Sequence, residues 1–229
     1  MAKKETRQPF LITQNNARSR VAEAYRTLRT NMGFTEMDHP CRTILITSTH
    51  PFEGKSTTVS NLAVVMAQAG NRVLLVDCDL RKPLQHQVFN ISNQVGLTNC
   101  LRQKVLLDEA LHPGPVENLT LLPAGPIPPN PSEILSSEYC RQFWTHLKEL
   151  YDYIFIDTPP VLVVADATIL AAQVDGVLLV VNSGSTRIDH AKEAKEQLAK
   201  ASAHIIGVVL NQARIRDDNQ YYYYSEDVS

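Results

Sequence analysis

The sequence has little charge imbalance, few cysteines and no long apolar run, and each shortage excludes something. Its 22 Lys and Arg against 24 Asp and Glu leave a formal net charge of −2. A general nucleic-acid binder shows a basic excess or a basic stripe instead, so nucleic acid is not an expected partner. No stretch approaches the roughly 18 consecutive apolar residues that cross a bilayer. Residues Met1 to Arg7 carry charge with no apolar segment behind them, so no secretory signal is expected. Cys41, Cys78, Cys100 and Cys140 lie far apart and make no C-x-x-C pair, which disfavours a metal cluster or a disulfide framework. No internal repeat is present. What remains reads as a soluble, cytoplasmic chain whose 229 residues, 44% of them hydrophobic, suffice for one sizeable core.

From Arg42 onward, short apolar runs alternate with helical patterns. Strands are expected at Thr43–Thr47, Arg72–Asp77, Asn118–Leu122, Tyr153–Ile156, Gly176–Val181 and His204–Leu210. Helices are expected between most of them, including Lys55–Ala69, closed by Gly70, and Ile188–Ala201. Strands that are apolar throughout, rather than alternating, suit a parallel sheet covered on both faces. The sequence therefore predicts an α/β fold with a doubly wound, mostly parallel sheet. Three units follow: an arm over 1–41 with a separate amphipathic helix at Ser19–Met32, a domain over 42–213, and a polar tail over 214–229 expected to be disordered. The run Pro123–Pro131 reads as a stiff extended surface loop.

Thr49-His50-Pro51-Phe52-Glu53-Gly54-Lys55-Ser56 sits between a strand and a helix. It matches the phosphate-loop spacing G-x-x-x-x-G-K-[ST], with Thr49 in the first glycine position. Backbone N–H groups of such a loop point at phosphate oxygens, where the helix dipole favours negative charge. The expected nucleotide contacts are Pro51, Phe52, Glu53, Gly54, Lys55, Ser56 and Thr57. Lys55 supplies charge to the β- and γ-phosphates and Ser56 a hydroxyl to Mg2+. Two more strands run into acids, one into Asp77-Cys78-Asp79 and one into Asp157. A single Asp after a strand is ordinarily a turn residue or a cap. Here the acids gather with the phosphate loop at the carboxyl edge of the sheet, where ligands of such folds bind. ATP, leaving as ADP, is the expected ligand.

These residues resemble the bacterial tyrosine kinases of capsular and exopolysaccharide synthesis. The resemblance rests on the phosphate loop, on D-x-D-x-R at Asp77, Asp79 and Arg81, and on Asp157 closing an apolar strand. It rests also on Glu23-x-x-Arg26-x-x-Arg29, on Ala124-Gly125-Pro126-x-Pro128-Pro129-Asn130-Pro131-Ser132-Glu133, and on the tyrosine-rich end. It covers nearly the whole chain and looks like the Firmicute type, a separate cytosolic kinase activated by a transmembrane adaptor. It implies a P-loop NTPase fold and an ATP-dependent protein-tyrosine kinase recruited by the adaptor to the inner face of the cell membrane, acting on proteins of polysaccharide synthesis.

The implied roles follow residue by residue. Ser56 and Asp77 hold Mg2+, and Asp157 reaches it directly or through water. Asp79 orients or deprotonates the tyrosine hydroxyl, whose free pKa near 10 makes it a poor nucleophile. Arg81 supports the acidic motif, touches a phosphate or forms a structural ion pair. Asn211 contacts adenine. Glu23, Arg26 and Arg29 share one broad helix face; by itself that reads as a solvated, salt-bridged face, but the resemblance makes it an assembly surface for a ring of subunits. Tyr221, Tyr222, Tyr223 and Tyr224 are the implied phosphorylation sites. The family loop commonly has glycine where Phe52 stands, so a backbone with φ > 0 there would be strained.

Two other readings fit the same fold. A partitioning or scaffold-type ATPase switch carries a second lysine just after the first loop position, where this chain has His50. A non-catalytic nucleotide-binding regulator follows if Phe52 cripples the loop.

Overall fold

The computed structural model describes residues 11–35 and 41–213. Its sheet contains β1 (Thr43–Ser48), β2 (Val73–Asp77), β3 (His112–Pro113), β4 (Leu119–Leu122), β5 (Tyr153–Asp157), β6 (Gly176–Asn182) and β7 (Ile205–Asn211). The strand order is β3-β4-β2-β5-β1-β6-β7. All neighbouring pairs are parallel except β3 with β4.

The apolar runs are continuous because successive residues serve opposite faces. Ile44 and Ile46 of β1 join a layer with Val59, Leu62, Leu75 and Phe155. Leu45 between them joins a second layer with Leu74, Trp144, Leu147 and Ile156. The predicted strands are therefore found to within a residue or two. β3 was not foreseen, since two residues make no run; its Pro113 is tolerated because the strand lies at the sheet edge. The Pro-rich loop is also shorter than expected, because Pro131 opens a helix over Pro131–Ser136 with proline in its first turn.

The N-terminal helices of the expected arm pack against the sheet domain. Helices α1 (Ile12–Asn15) and α2 (Arg20–Thr35) pack on α3 (Lys55–Gln68) rather than standing apart. Thr13 donates to Asn61 Oδ1 from its backbone N–H (3.0 Å) and from its hydroxyl (2.9 Å). Arg29 donates to the Val65 carbonyl at 3.1 Å. Every residue of α3 from Thr58 to Ala67 is buried, so this helix needs cover on both sides, the sheet giving one and α2 the other.

The connection from β1 crosses to β2 on one side, and that from β5 crosses to β6 on the other. A crevice therefore opens over the carboxyl ends of β1 and β5.

Candidate active site

The loop leaving β1 is pre-shaped by its own side chains. Glu53 is buried and folds back, its carboxylate accepting the Thr49 N–H (2.8 Å), the His50 N–H (3.2 Å) and the Thr49 hydroxyl (2.6 Å). The Thr186 hydroxyl also donates to it. Thr49, in place of the first glycine, thus supplies a hydroxyl that pins the loop. Asn211, ending β7, donates its amide to the Glu53 carbonyl at 2.9 Å. That amide nitrogen would lie 2.0 Å from any Cβ at position 54, and Gly54 has φ +90°. Only glycine fits there. Phe52 has φ +68° and a ring 96% exposed, so the strain that the sequence made conditional is present. Pro51 is exposed beside it, and Thr57 lies in the first turn of α3.

Below the loop, Lys55 Nζ lies 3.1 Å from Ser56 Oγ, 3.2 Å from Asp79 Oδ2 and 3.3 Å from Asp157 Oδ1. Burial works against the ammonium charge, but the Asp157 and Asp79 carboxylates outweigh it and hold the Lys55 pKa above the ordinary lysine value.

Asp77 and Asp157 face each other in register on adjacent parallel strands. Burial first, and then the Asp157 charge, push the Asp77 carboxyl up to about 8, against a lowering hydrogen bond from the Gln85 N–H. Asp77 Oδ2 accepts the N–H groups of Leu84 and Gln85, both at 2.9 Å, and Oδ1 accepts that of Asp79 at 3.1 Å. The residue therefore ties down the loop that carries Asp79. Asp79 Oδ1 in turn accepts the Lys82 N–H at 3.0 Å.

Arg81 points away from this cluster. It makes a two-point pair with Asp166, Nε to Oδ2 at 2.8 Å and Nη2 to Oδ1 at 3.1 Å. The Ser132 hydroxyl donates to the same carboxylate at 2.6 Å. Of the roles considered for Arg81, this geometry matches a structural ion pair. Ser132 and Asp166 had no signal in the sequence beyond one serine in the Pro-rich motif. Gln85, the first residue of the short helix α4 (Gln85–Val88), was also missed, and nothing local marks it.

Glu23, Arg26 and Arg29 lie on α2, outside the crevice. Arg26 pairs with Glu23 at 2.8 Å and donates to the Ala17 carbonyl at 2.6 Å. Tyr221 to Tyr224 lie outside the described residues.

Among the described residues, the Asp77, Asp79 and Asp157 carboxylates gather near the Lys55 ammonium, and burial first and the Asp157 charge second raise the Asp77 pKa. Their oxygens and the Ser56 hydroxyl form a hard donor set suited to Mg2+. Among the described residues, no group of three or more His, Cys, Asp or Glu is spaced to cage a metal unaided. No helix among the described residues is long and apolar enough to cross a membrane.

A family model described as an AAA domain matches residues 41–207. The tyrosine-protein kinase YwqD of Bacillus subtilis is 43% identical over 214 residues, 93% of this chain and 90% of that protein. The solved kinase domain of the Escherichia coli tyrosine kinase ETK superposes with a TM-score of 0.84 at 31% identity, covering 94% of this chain and 87% of that one. The septum site-determining protein MinD of Pyrococcus horikoshii, solved with Mg-ADP, superposes at 0.64 with 26% identity, covering 74% of this chain and 69% of that one.

Proposed function

The chain belongs to the bacterial tyrosine-protein kinases, and on that footing we propose that it transfers the γ-phosphoryl group of ATP to its own tail, at Tyr221, Tyr222, Tyr223 and Tyr224. One subunit acts on another within a homo-oligomeric ring. A transmembrane adaptor recruits the kinase to the inner face of the membrane, where phosphorylation regulates capsular and exopolysaccharide synthesis and export.

The observation that carries the catalytic part is the placement of Lys55, within 3.3 Å of both Asp79 and Asp157 at the foot of a pre-shaped phosphate loop. Phosphoryl transfer asks mainly for positioning and charge stabilisation. The loop amides and Lys55 would supply the donors that stabilise charge on the transferring phosphoryl group. Mg2+, when bound with the nucleotide, neutralises charge on the β- and γ-phosphates; Ser56, Asp77 and Asp157 would hold it. Asp79 is the acceptor for the tyrosine proton. Asp77 is fully buried and committed to three backbone N–H groups, whereas Asp79 retains some exposure. Asn211, which reaches the loop from the end of β7 and donates to the Glu53 carbonyl, is assigned to the adenine.

The trans reaction is tested by mixing two chains, a Lys55→Met variant with its tail and a wild-type chain truncated after Ala213. Phosphotyrosine on the Lys55→Met chain is the expected result. Its absence, when the intact wild-type chain modifies itself, would overturn action in trans.

A further inference from the structure

Gln85 touches every residue assigned to Mg2+, although nothing in the sequence marked it. Its side-chain Nε2 donates to Asp157 Oδ2 at 2.7 Å. Its backbone N–H donates to Asp77 Oδ2 at 2.9 Å. The same Nε2 lies 3.4 Å from the Ser56 carbonyl, and Oε1 faces the Ser60 hydroxyl at 2.7 Å. That hydroxyl also lies 2.6 Å from the Ser56 carbonyl, in the first turn of α3. One buried residue, through its backbone N–H and its side chain, thus joins the ends of β2 and β5 to the start of α3.

The two oxygens of Asp157 are divided between partners. Oδ2 takes Gln85, while Oδ1 faces Lys55 and the interior of the site. A carboxylate free to rotate would present either oxygen to a cation; one held at Oδ2 presents Oδ1. Donors behind a metal ligand orient it in this way, and their loss typically lowers metal affinity about 10- to 100-fold. The backbone N–H of Gln85 also meets the neighbouring acid, so displacing the residue disturbs both carboxylates together.

We propose that Gln85 is a positioning residue that fixes the Asp157 carboxylate, beside Asp77, in the orientation that takes up Mg2+ with the nucleotide. The inference rests on the nucleotide–Mg2+ reading of the site and is separable from it by experiment. Binding of ADP to the full chain is measured calorimetrically with Mg2+ and with a chelator, for wild type, Gln85→Met and Ser60→Ala. Methionine keeps the length and flexibility of the side chain and removes its hydrogen bonds.

The expected result is a Mg2+-dependent affinity gain in wild type that falls about 10- to 100-fold in Gln85→Met, with unchanged metal-free ADP binding. Ser60→Ala, which removes the partner at Oε1 and the hydroxyl's contact with the Ser56 carbonyl but leaves the Gln85–Asp157 bond, should show a smaller loss of the same kind, and it carries the test if Gln85→Met does not fold. A full Mg2+ gain in the variants that fold would overturn the inference and leave the site reading intact. A wild-type protein that binds ADP with no Mg2+ dependence would overturn both.

Discussion

Asp77 and Asp157 close two adjacent parallel strands in the same register, so their carboxylates share one buried edge of the sheet. Burial and this proximity raise the Asp77 carboxyl to about 8, and stability must respond to pH. A carboxyl with a raised native pKa favours folding fully below its unfolded pKa, near 3.9, and loses that contribution as pH rises through about 8. The nucleotide-free protein should therefore melt at progressively lower temperature from pH 5 to pH 8. Asp77→Asn should flatten this slope. Parallel slopes for the two proteins would count against the assignment.

Phe52 holds a left-handed backbone with its ring in solvent. The conformation costs an L-residue roughly 1–2 kcal/mol, part of which glycine returns through its greater unfolded-state entropy. Phe52→Gly should raise the melting temperature by about 2 °C, while Phe52→Ala, which keeps the backbone strain, should not. Equal melting temperatures for the two variants would show that position 52 does not limit the loop.

Arg81 and Asp166 form a pair in which the carboxylate is buried and the guanidinium is 40% exposed. Removing either partner strands the other or leaves a void. Arg81→Met should cost about 2–3 kcal/mol in urea unfolding, at the low end for buried pairs because of that exposure. The Arg81→Met/Asp166→Leu double variant should cost clearly less than the two single losses added together. Strict additivity would mean that the pair is not coupled.

The α2 face makes a further prediction. Arg26 and Arg29 already have partners within their own protomer, Glu23 with the Ala17 carbonyl and the Val65 carbonyl respectively. If the same face also assembles the ring, Arg26→Ala/Arg29→Ala should give a smaller particle by light scattering with its fold intact by circular dichroism. An unchanged particle mass would remove the assembly role.

Much of the fold was legible because each strand is buried on both faces and so reads as an unbroken apolar run. The phosphate loop was legible because its chemistry is local, eight consecutive residues between a strand and a helix. Tertiary relationships were not. The docking of α2 depends on a second apolar side of α3, which composition does not distinguish from its sheet-facing side. Gln85, Ser132 and Asp166 acquire their roles through partners 72, 34 and 85 residues away in sequence. Phe52 lay between these cases: its strain depended on a backbone angle that the motif implied but only the structure supplied.

The central claim is that this chain phosphorylates its own tyrosine tail, and intact mass spectrometry of protein purified from an expressing cell tests it most directly, beside a Lys55→Met variant. The Lys55 ammonium lies among Asp79, Asp157 and Ser56, and removing a charge of this kind costs on the order of 10²–10³ in rate. The account predicts phosphate mass increments on the wild type, mapped to Tyr221–Tyr224 and absent from the variant. Wild-type protein that stays unmodified even with a candidate adaptor segment fused to it would contradict the account and favour an ATPase switch on the same fold.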